Sequence, residues 1–113
     1  MALDCADPAA LGAFWAAVLG GEVTFSSDGF VAVSTPGGWL TAQRVERYRP
    51  PDWPDGDPPK QVHLDLAVED LEAGEAHVLV LGATRASHQP APERFRVYLD
   101  PAGHPFCLTT LIP

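Results

Sequence analysis

Apolar and polar positions alternate along this chain with two different periods. Over residues 7–20 the apolar positions recur every three or four residues, which is the spacing of one face of an α-helix. Asp7 is well placed to cap the start of this helix, Pro8 suits its first position, and Gly20 suits its left-handed end. The pattern therefore predicts a helix, and the residues before it suit a first strand.

The following stretch, residues 22–45, has the composition and alternation of strands. Two turn sequences interrupt it, Ser27-Asp28-Gly29 and Pro36-Gly37-Gly38. The next segment, residues 46–60, carries five prolines and few aliphatic residues, so we expect an exposed connection. Trp53 is its exception, because a large aromatic side chain in a polar loop tends to pack back onto the protein.

A strict two-residue alternation opens the second half of the chain, in the segment "HLDLAV". One parity is aliphatic, whereas the other carries His63 and Asp65, so we expect a strand with these two side chains on one face. Residues 70–82 then read as a second helix with a capping Asp and a final Gly. A weak strand in "ATRASHQ", a clear strand in "RFRVYLD" and a last strand after "DPAGH" complete the half.

The two halves match in the order of their predicted elements and in their capping and turn residues. Residues 7–20 correspond to residues 70–82, and "TPGGW" corresponds to "DPAGH". Each half reads β-α-β-β-β, and neither half alone could bury both faces of its sheet. The pattern predicts one α+β domain over residues 1–113, with module one at 1–49, a linker at 50–60 and module two at 61–113.

Charge and cysteine content exclude several classes of function. Seven Lys and Arg residues against fifteen Asp and Glu residues give a net charge of −8, and the cations are too sparse for a nucleic-acid surface. Cys5 and Cys107 lie far apart without a CxxC spacing, which indicates two reduced thiols. No apolar run approaches the roughly 20 residues needed to span a membrane, and no secretory signal is visible. We therefore expect a cytoplasmic protein without a nucleic-acid or membrane partner.

Three segments together carry a family resemblance: "LDCADPAALGAFWAAVLGGEV", "HLDLAVEDLEAGEAHVLVLGA" and "YLDPAGHPFCL". They resemble the vicinal oxygen chelate superfamily, and within it the glyoxalase-like domains that are kin to glyoxalase I, bleomycin-resistance proteins and extradiol dioxygenases. The resemblance covers nearly the whole chain. It implies two modules that form a curled mixed sheet around a cleft, with helices on the outer side, a small organic molecule in the cleft, and a homodimer.

Metal-dependent members of that superfamily place ligands on the first and last strands of both modules. In this sequence the second module offers His63 on its first strand and Cys107 on its last strand, where those relatives usually have Glu. The last strand of the first module offers Ala42, or Gln43 if the alignment slips by one residue. The remaining position falls at Ala2 or earlier. The resemblance therefore implies either no cofactor or a divalent metal held by His63, Gln43 and Cys107.

Several roles stay open for these side chains. His63 is a metal ligand, a hydrogen-bonding or general-base residue, or a polar residue paired with Asp65 on a solvated strand face. Trp39, Trp53 and Phe95 either line the cleft or pack in the core. The candidate cleft residues are His63, Asp65, Gln43, Trp39, Trp53, Phe95 and Cys107.

Two further groups of polar residues lie in the second module. Arg94 and Arg96 share a parity, which would allow them to bind an anionic ligand, although solvation is the commoner fate. His104 belongs to the turn before the last strand, and we expect Asp100 to cap that turn through nearby backbone N–H groups.

Two classes of function remain. The first is a glyoxalase-like protein that binds a small aromatic or amphipathic molecule without the full metal-ligand set of glyoxalase I, and the incomplete ligand set favours it. The second is a metal-dependent lyase, isomerase or dioxygenase-type enzyme that acts on a substrate with vicinal oxygens. In that enzyme His63 would be ligand or base, and Gln43 and Cys107 would support it. The sequence contains none of the motifs GxSxG, GxGxxG or HExxH, so nucleophilic elbows, dinucleotide binding and zincin chemistry have no support.

Overall fold

The computed structural model describes residues 1–56 and 61–112, so part of the predicted linker, residues 57–60, lies outside the described residues. The chain divides into two compact units, Met1–Arg49 and Pro50–Pro113. Within the described residues, each unit contains one helix and one four-stranded mixed sheet. The predicted α+β class is therefore confirmed.

The first unit has the predicted order β-α-β-β-β. Its elements are β1 (Ala2–Cys5), α1 (Pro8–Leu19), β2 (Glu22–Ser26), β3 (Phe30–Thr35) and β4 (Gly38–Arg44). The strand order is β1-β4-β3-β2, in which β1 pairs parallel with β4 and the other pairs are antiparallel. The two predicted turn sequences connect β2 to β3 and β3 to β4.

The helix α1 begins and ends where its sequence predicts. The Asp7 side chain accepts a hydrogen bond from the backbone N–H of Ala10 at 3.1 Å, and Gly20 ends the helix with a φ of 66°. Apolar side chains fill the space between α1 and the strands β3 and β4. The buried residues of this layer are Leu11, Phe14, Trp15, Val31, Val33, Leu40 and Ala42.

The second unit repeats the same topology. Its elements are β5 (Leu64–Ala67), α2 (Leu71–Leu81), β6 (Thr84–Arg85), β7 (Phe95–Leu99) and β8 (Pro105–Thr109). The strand order is β5-β8-β7-β6, with β5 parallel to β8. None of the described helices is long and apolar enough to cross a membrane.

The strand predicted in "ATRASHQ" is reduced to the two residues of β6. The reason is the amide of Gln89, which donates to the backbone oxygens of Ala86 (2.8 Å) and Val97 (2.7 Å) and accepts from the Val97 N–H (2.9 Å). The Ala86 N–H still donates to the Val97 oxygen at 3.0 Å, but the Gln89 amide replaces the return hydrogen bond from the Val97 N–H to the Ala86 oxygen that a longer strand would have made.

A polar network lies between α2 and the sheet of the second unit. Glu75 accepts hydrogen bonds from Tyr98 Oη (3.0 Å) and Arg85 Nη1 (2.9 Å), and its Oε2 lies 3.4 Å from Arg96 Nη1. Arg96 also donates to Glu72 at 2.6 Å, and this hydrogen bond lowers the pKa of Glu72 and raises that of Arg96. The interpretation of Arg96 as an anion-binding side chain is therefore wrong, because its charge is already paired within the fold.

Tyr98 is the buried member of that network. Burial of its side chain, assisted by the hydrogen bond to Glu75, raises the pKa of Tyr98 to about 12. Few apolar residues of α2 are buried, only Leu71 and Val78 among its described positions. The polar network therefore adds to the limited apolar packing that holds α2 on its sheet.

The turn before β8 has the predicted construction. Asp100 is buried, and its Oδ1 accepts hydrogen bonds from the backbone N–H groups of Ala102 (2.9 Å) and His104 (3.0 Å). Gly103 adopts a φ of 86°, a left-handed conformation that suits glycine. This turn fixes the direction in which β8 starts.

Candidate functional site

The two faces of the sheet in the second unit carry different side chains. Leu108 points toward α2, where its Cδ1 atom lies close to Gly74. Cys107 and Thr109, its neighbours along β8, therefore point to the opposite face. We call this opposite face the pocket face. In the parallel pairing of β5 with β8, Asp65 is the register partner of Cys107, so these two side chains lie side by side on it.

Trp53 covers part of the pocket face. It packs against a buried cluster formed by Ala86, Val97 and Cys107, and its indole Nε1 donates a hydrogen bond to the backbone oxygen of His88 at 3.0 Å. Phe95 packs against the same cluster. The tryptophan of the proline-rich segment thus packs back onto the protein, as its composition indicated.

A cavity of about 410 Å³ remains between these residues. This volume lies in the range of about 300–1,000 Å³ that is typical of small-molecule sites. One wall is apolar and the other end is polar. The lining residues are Trp53, His63, Asp65, Phe95, Cys107, Thr109, Leu111 and Ile112.

His63, Asp65 and Cys107 form the polar end of the cavity. His63 Nε2 lies 3.2 Å from Asp65 Oδ1, and one potential metal-binding atom from each of the three residues lies within 4.8 Å of the other two. The side chains of His63 and Asp65 are 32% and 54% exposed, whereas Cys107 is buried. Imidazole nitrogen, carboxylate oxygen and thiolate sulfur are all ligands of divalent transition metals, so this donor set fits a metal ion.

Two of the predicted cleft residues, Gln43 and Trp39, lie in the first unit. Both are exposed on β4, on the side opposite to Leu40 and Ala42, which are buried under α1. Ala42 therefore cannot present a side chain to the open face, and only the alignment that slips to Gln43 keeps the predicted ligand position on that face. The role of Gln43 as a ligand stays a prediction.

Three residues of the cavity were not among the predicted ones: Thr109, Leu111 and Ile112. Thr109 follows Cys107 by two residues on the last strand, so the alternation of that strand would have placed it on the same face. Leu111 and Ile112, just after the strand, gave a weaker signal. Two apolar residues in a terminal segment indicate that the segment packs on the protein, but not where it packs.

Comparison with known proteins identifies the family. A family model described as a glyoxalase-like domain matches residues 1–109. The chain belongs to the glyoxalase-like domain family. The resemblance to the vicinal oxygen chelate superfamily, inferred from the three sequence segments, is confirmed. No curated protein sequence matches this glyoxalase-like domain significantly.

Solved structures of low sequence identity share the fold of this glyoxalase-like domain. The fosfomycin resistance protein FosX from Mesorhizobium loti is 16% identical with a TM-score of 0.73, over 99% of this chain and 89% of that one. An enzyme of the glyoxalase/bleomycin resistance protein/dioxygenase family from Burkholderia phytofirmans PsJN is 18% identical with a TM-score of 0.72, over 99% and 96%.

A third similar structure was solved with bound ligands. It is a variant of FosX from Listeria monocytogenes in complex with Mn(II) and 1S,2S-dihydroxypropylphosphonic acid, 16% identical with a TM-score of 0.70, over 96% of this chain and 85% of that one. At these identities the likeness establishes the fold and not the activity.

Proposed function

We propose that this glyoxalase-like domain binds a small organic molecule in the cavity of the second unit. The observation that carries the proposal is the cavity itself, which has the volume of a small-molecule site and combines an apolar wall with a few polar groups at one end. Core packing alone does not explain why the polar side chains of His63 and Asp65 lie beside an open apolar surface of this size.

The lining indicates an amphipathic ligand. Trp53 and Phe95 offer flat apolar surfaces to an aromatic or alkyl body, which aromatic side chains bind with favourable stacking and burial. His63 and Asp65, whose side chains are in contact at 3.2 Å, offer hydrogen bonds to a polar head at the other end. The ligand would therefore lie with its polar head toward β5.

Binding of the fluorescent probe 8-anilinonaphthalene-1-sulfonate to the metal-free protein tests this proposal. Trp53→Ala removes the largest apolar side chain of the cavity and should weaken binding about tenfold or more. Trp39→Ala is the matched control, because Trp39 lies on β4 of the first unit and is 60% exposed. Equal affinities of the two variants, with both folded by circular dichroism, would contradict the proposal.

A metal-dependent enzyme is the second candidate function, and the convergence of three metal-binding side chains supports it. A bound divalent cation would polarise the vicinal oxygens of a substrate as a Lewis acid. His63, Asp65 and Cys107 would hold the ion, while Trp53 and Phe95 would orient the substrate and exclude water. Metal-dependent turnover of α-hydroxycarbonyl compounds or catechols that disappears in His63→Ala would favour this candidate, and turnover that persists in this variant would contradict it.

We also propose that the protein is cytoplasmic and that it forms a homodimer. The strand β2 supports the dimer, because it is an edge strand whose five residues are all exposed, including Phe25 at 56%. Exposed apolar edge strands favour association. Light scattering after size-exclusion chromatography should give the mass of a dimer, and Phe25→Lys should shift it toward the monomer. A monomeric wild-type protein would contradict the dimer.

A further inference from the structure

Thr109 adds a second polar group to the cavity, apart from His63 and Asp65, and its side chain is buried. We propose that the Thr109 hydroxyl donates a hydrogen bond to an oxygen atom on the body of the ligand, and that this bond selects ligands with a carbonyl group next to their aromatic part. The inference deepens the proposed function and rests on it, because both concern the same cavity. It involves no metal ion.

The strand register separates Thr109 from the polar end of the cavity. On β8, Thr109 follows Cys107 by two residues, and its register partners are Phe95 on β7 and Ala67 on β5. Asp65 is the partner of Cys107, one row away on the same face. The spacings along and between strands place the Cα atoms of Thr109 and Asp65 roughly 8 Å apart. The two residues would therefore contact different parts of one ligand.

The hydrogen bonds of Thr109 leave its hydroxyl proton without an acceptor. The backbone oxygen of Thr109 accepts from the Val68 N–H at 2.9 Å, and Oγ1 accepts from the Leu111 N–H at 3.0 Å. A threonine hydroxyl also has one proton to donate. Among residues 1–56 and 61–112, no atom accepts that proton within hydrogen-bonding distance. The hydroxyl is therefore able to donate to a ligand.

The same hydroxyl lies at the border of the cavity. Leu111, whose N–H it accepts, lines the cavity, so Thr109 Oγ1 lies between the end of β8 and the segment that borders this space. Thr109 is only 5% exposed. A ligand that fills the cavity excludes water from this hydroxyl, and a buried donor without an acceptor is unfavourable. The ligand must therefore supply the acceptor itself.

The chemistry of this donor favours a neutral acceptor. One uncharged hydroxyl does not replace the hydration that a charged oxygen loses on burial, whereas it satisfies the oxygen of a ketone, ester or amide. Phe95, the register partner of Thr109, offers an apolar surface to the ring that carries the carbonyl group. We therefore expect an aryl carbonyl compound whose polar head lies toward His63 and Asp65.

Two probes of matched shape test the inference. The compounds 2-acetylnaphthalene and 2-isopropenylnaphthalene differ mainly in that a carbonyl oxygen of the first is a CH2 group in the second. Equilibrium dialysis with the protein and a metal chelator gives the ratio of their affinities, ketone over alkene. Thr109→Val removes the hydroxyl and keeps the branched shape, so the ratio should fall about fivefold. Thr109→Ser keeps the hydroxyl and should keep the ratio.

Thr110→Val is the matched control. The Thr110 hydroxyl is exposed and already donates to the backbone oxygen of Arg94 at 3.2 Å, so this variant should leave the ratio unchanged. Thr109→Val also removes the acceptor of the Leu111 N–H. A C-terminal segment loosened in this way would weaken the binding of both probes alike, so the ratio separates hydrogen bonding to the ligand from a structural role of Thr109.

The outcomes distinguish this inference from the proposed function. If both probes bind and the ratio is the same in Thr109→Val as in the wild type, the inference is overturned and the cavity proposal stands. If neither probe binds the wild-type protein, both are overturned. If Thr109→Val does not fold, the infrared carbonyl stretching frequency of the ketone bound to the wild type provides the test. We expect a lower frequency than in an alkane solvent, and an equal frequency would overturn the inference.

Discussion

The two units share one topology but carry different chemistry on the face of the sheet that points away from the helix. In the first unit this face presents Phe25, Trp39 and Gln43, all exposed. In the second unit the corresponding face presents Asp65 and Cys107, and Trp53 and the C-terminal residues cover it. The two units thus have the same backbone topology. The candidate site exists only in the second unit, because it depends on the side chains at a few strand positions and on the segment that covers them.

The helices of the two units are also held in different ways. Buried apolar side chains, Phe14 and Trp15 among them, hold α1 on its sheet. The contacts of α2 include a partly buried carboxylate, Glu75, with Arg96 and Tyr98 of the sheet. Apolar packing is insensitive to pH, whereas a buried polar network responds to any change in the charge or protonation of its members. The difference leads to three predictions.

The largest expected effect is on the network of the second unit. Glu75→Ala leaves the Tyr98 hydroxyl without its acceptor and removes one of the two carboxylates that face Arg96, so it should lower the free energy of unfolding by about 3 kcal/mol. Urea denaturation measures this loss. Glu72→Ala is the control, because Glu72 is 74% exposed and should cost clearly less. Equal losses of unfolding free energy in the two variants would show that burial of the Glu75 carboxylate does not strengthen its contribution to stability.

A second effect appears at alkaline pH. The pKa of Tyr98 is about 12 in the folded protein, above the ordinary value of 10.0, so the unfolded chain loses this proton first. The stabilising contribution is therefore complete below about pH 10 and falls as the pH rises, with a loss of roughly 2 kcal/mol at pH 12. Denaturation of the wild type and of Tyr98→Phe across this range measures the difference. The same slope in both proteins would refute the assignment.

The smallest effect compares the glycines at which each helix approaches its sheet. A Cβ atom at Gly12 would lie 2.5 Å from Val31 Cγ1, so Gly12→Ala should destabilise the protein by about 1–2 kcal/mol. A Cβ atom at Gly74 would lie 3.1 Å from Leu108 Cδ1, and the gain in helix propensity should offset that contact. Thermal unfolding should show Gly74→Ala near the wild type. A larger loss for Gly74→Ala would reverse the comparison.

Local signals in the sequence were enough to predict the frame of both units. The ends of the helices and the positions of the hairpins could be predicted from capping aspartates, terminal glycines and turn sequences. Each of these signals acts on backbone groups only a few residues away. Strand alternation placed His63 and Asp65 on one face for the same reason. The fold of the family followed from the repeat of these local elements.

The remaining features depend on contacts between residues distant in sequence. The neighbourhood of Asp65 and Cys107 follows from the register of two parallel strands, which no local pattern encodes. The pairing of Arg96 with Glu72 and Glu75 depends on the position of α2 over β7. The short β6 depends on one amide, that of Gln89. In each case a polar side chain had several possible partners, and the tertiary packing determines which of them it contacts.

The comparison of the two units assigns the functional chemistry of this protein to the second unit. Heteronuclear NMR of the amide groups during titration with 8-anilinonaphthalene-1-sulfonate is the decisive test, because each residue gives its own signal. We expect the largest shifts at the indole of Trp53 and at the amides of Phe95 and Cys107, with little change at Trp39 and Gln43. Shifts centred on Gln43 and the strand β4, or no saturable shifts at all, would contradict it.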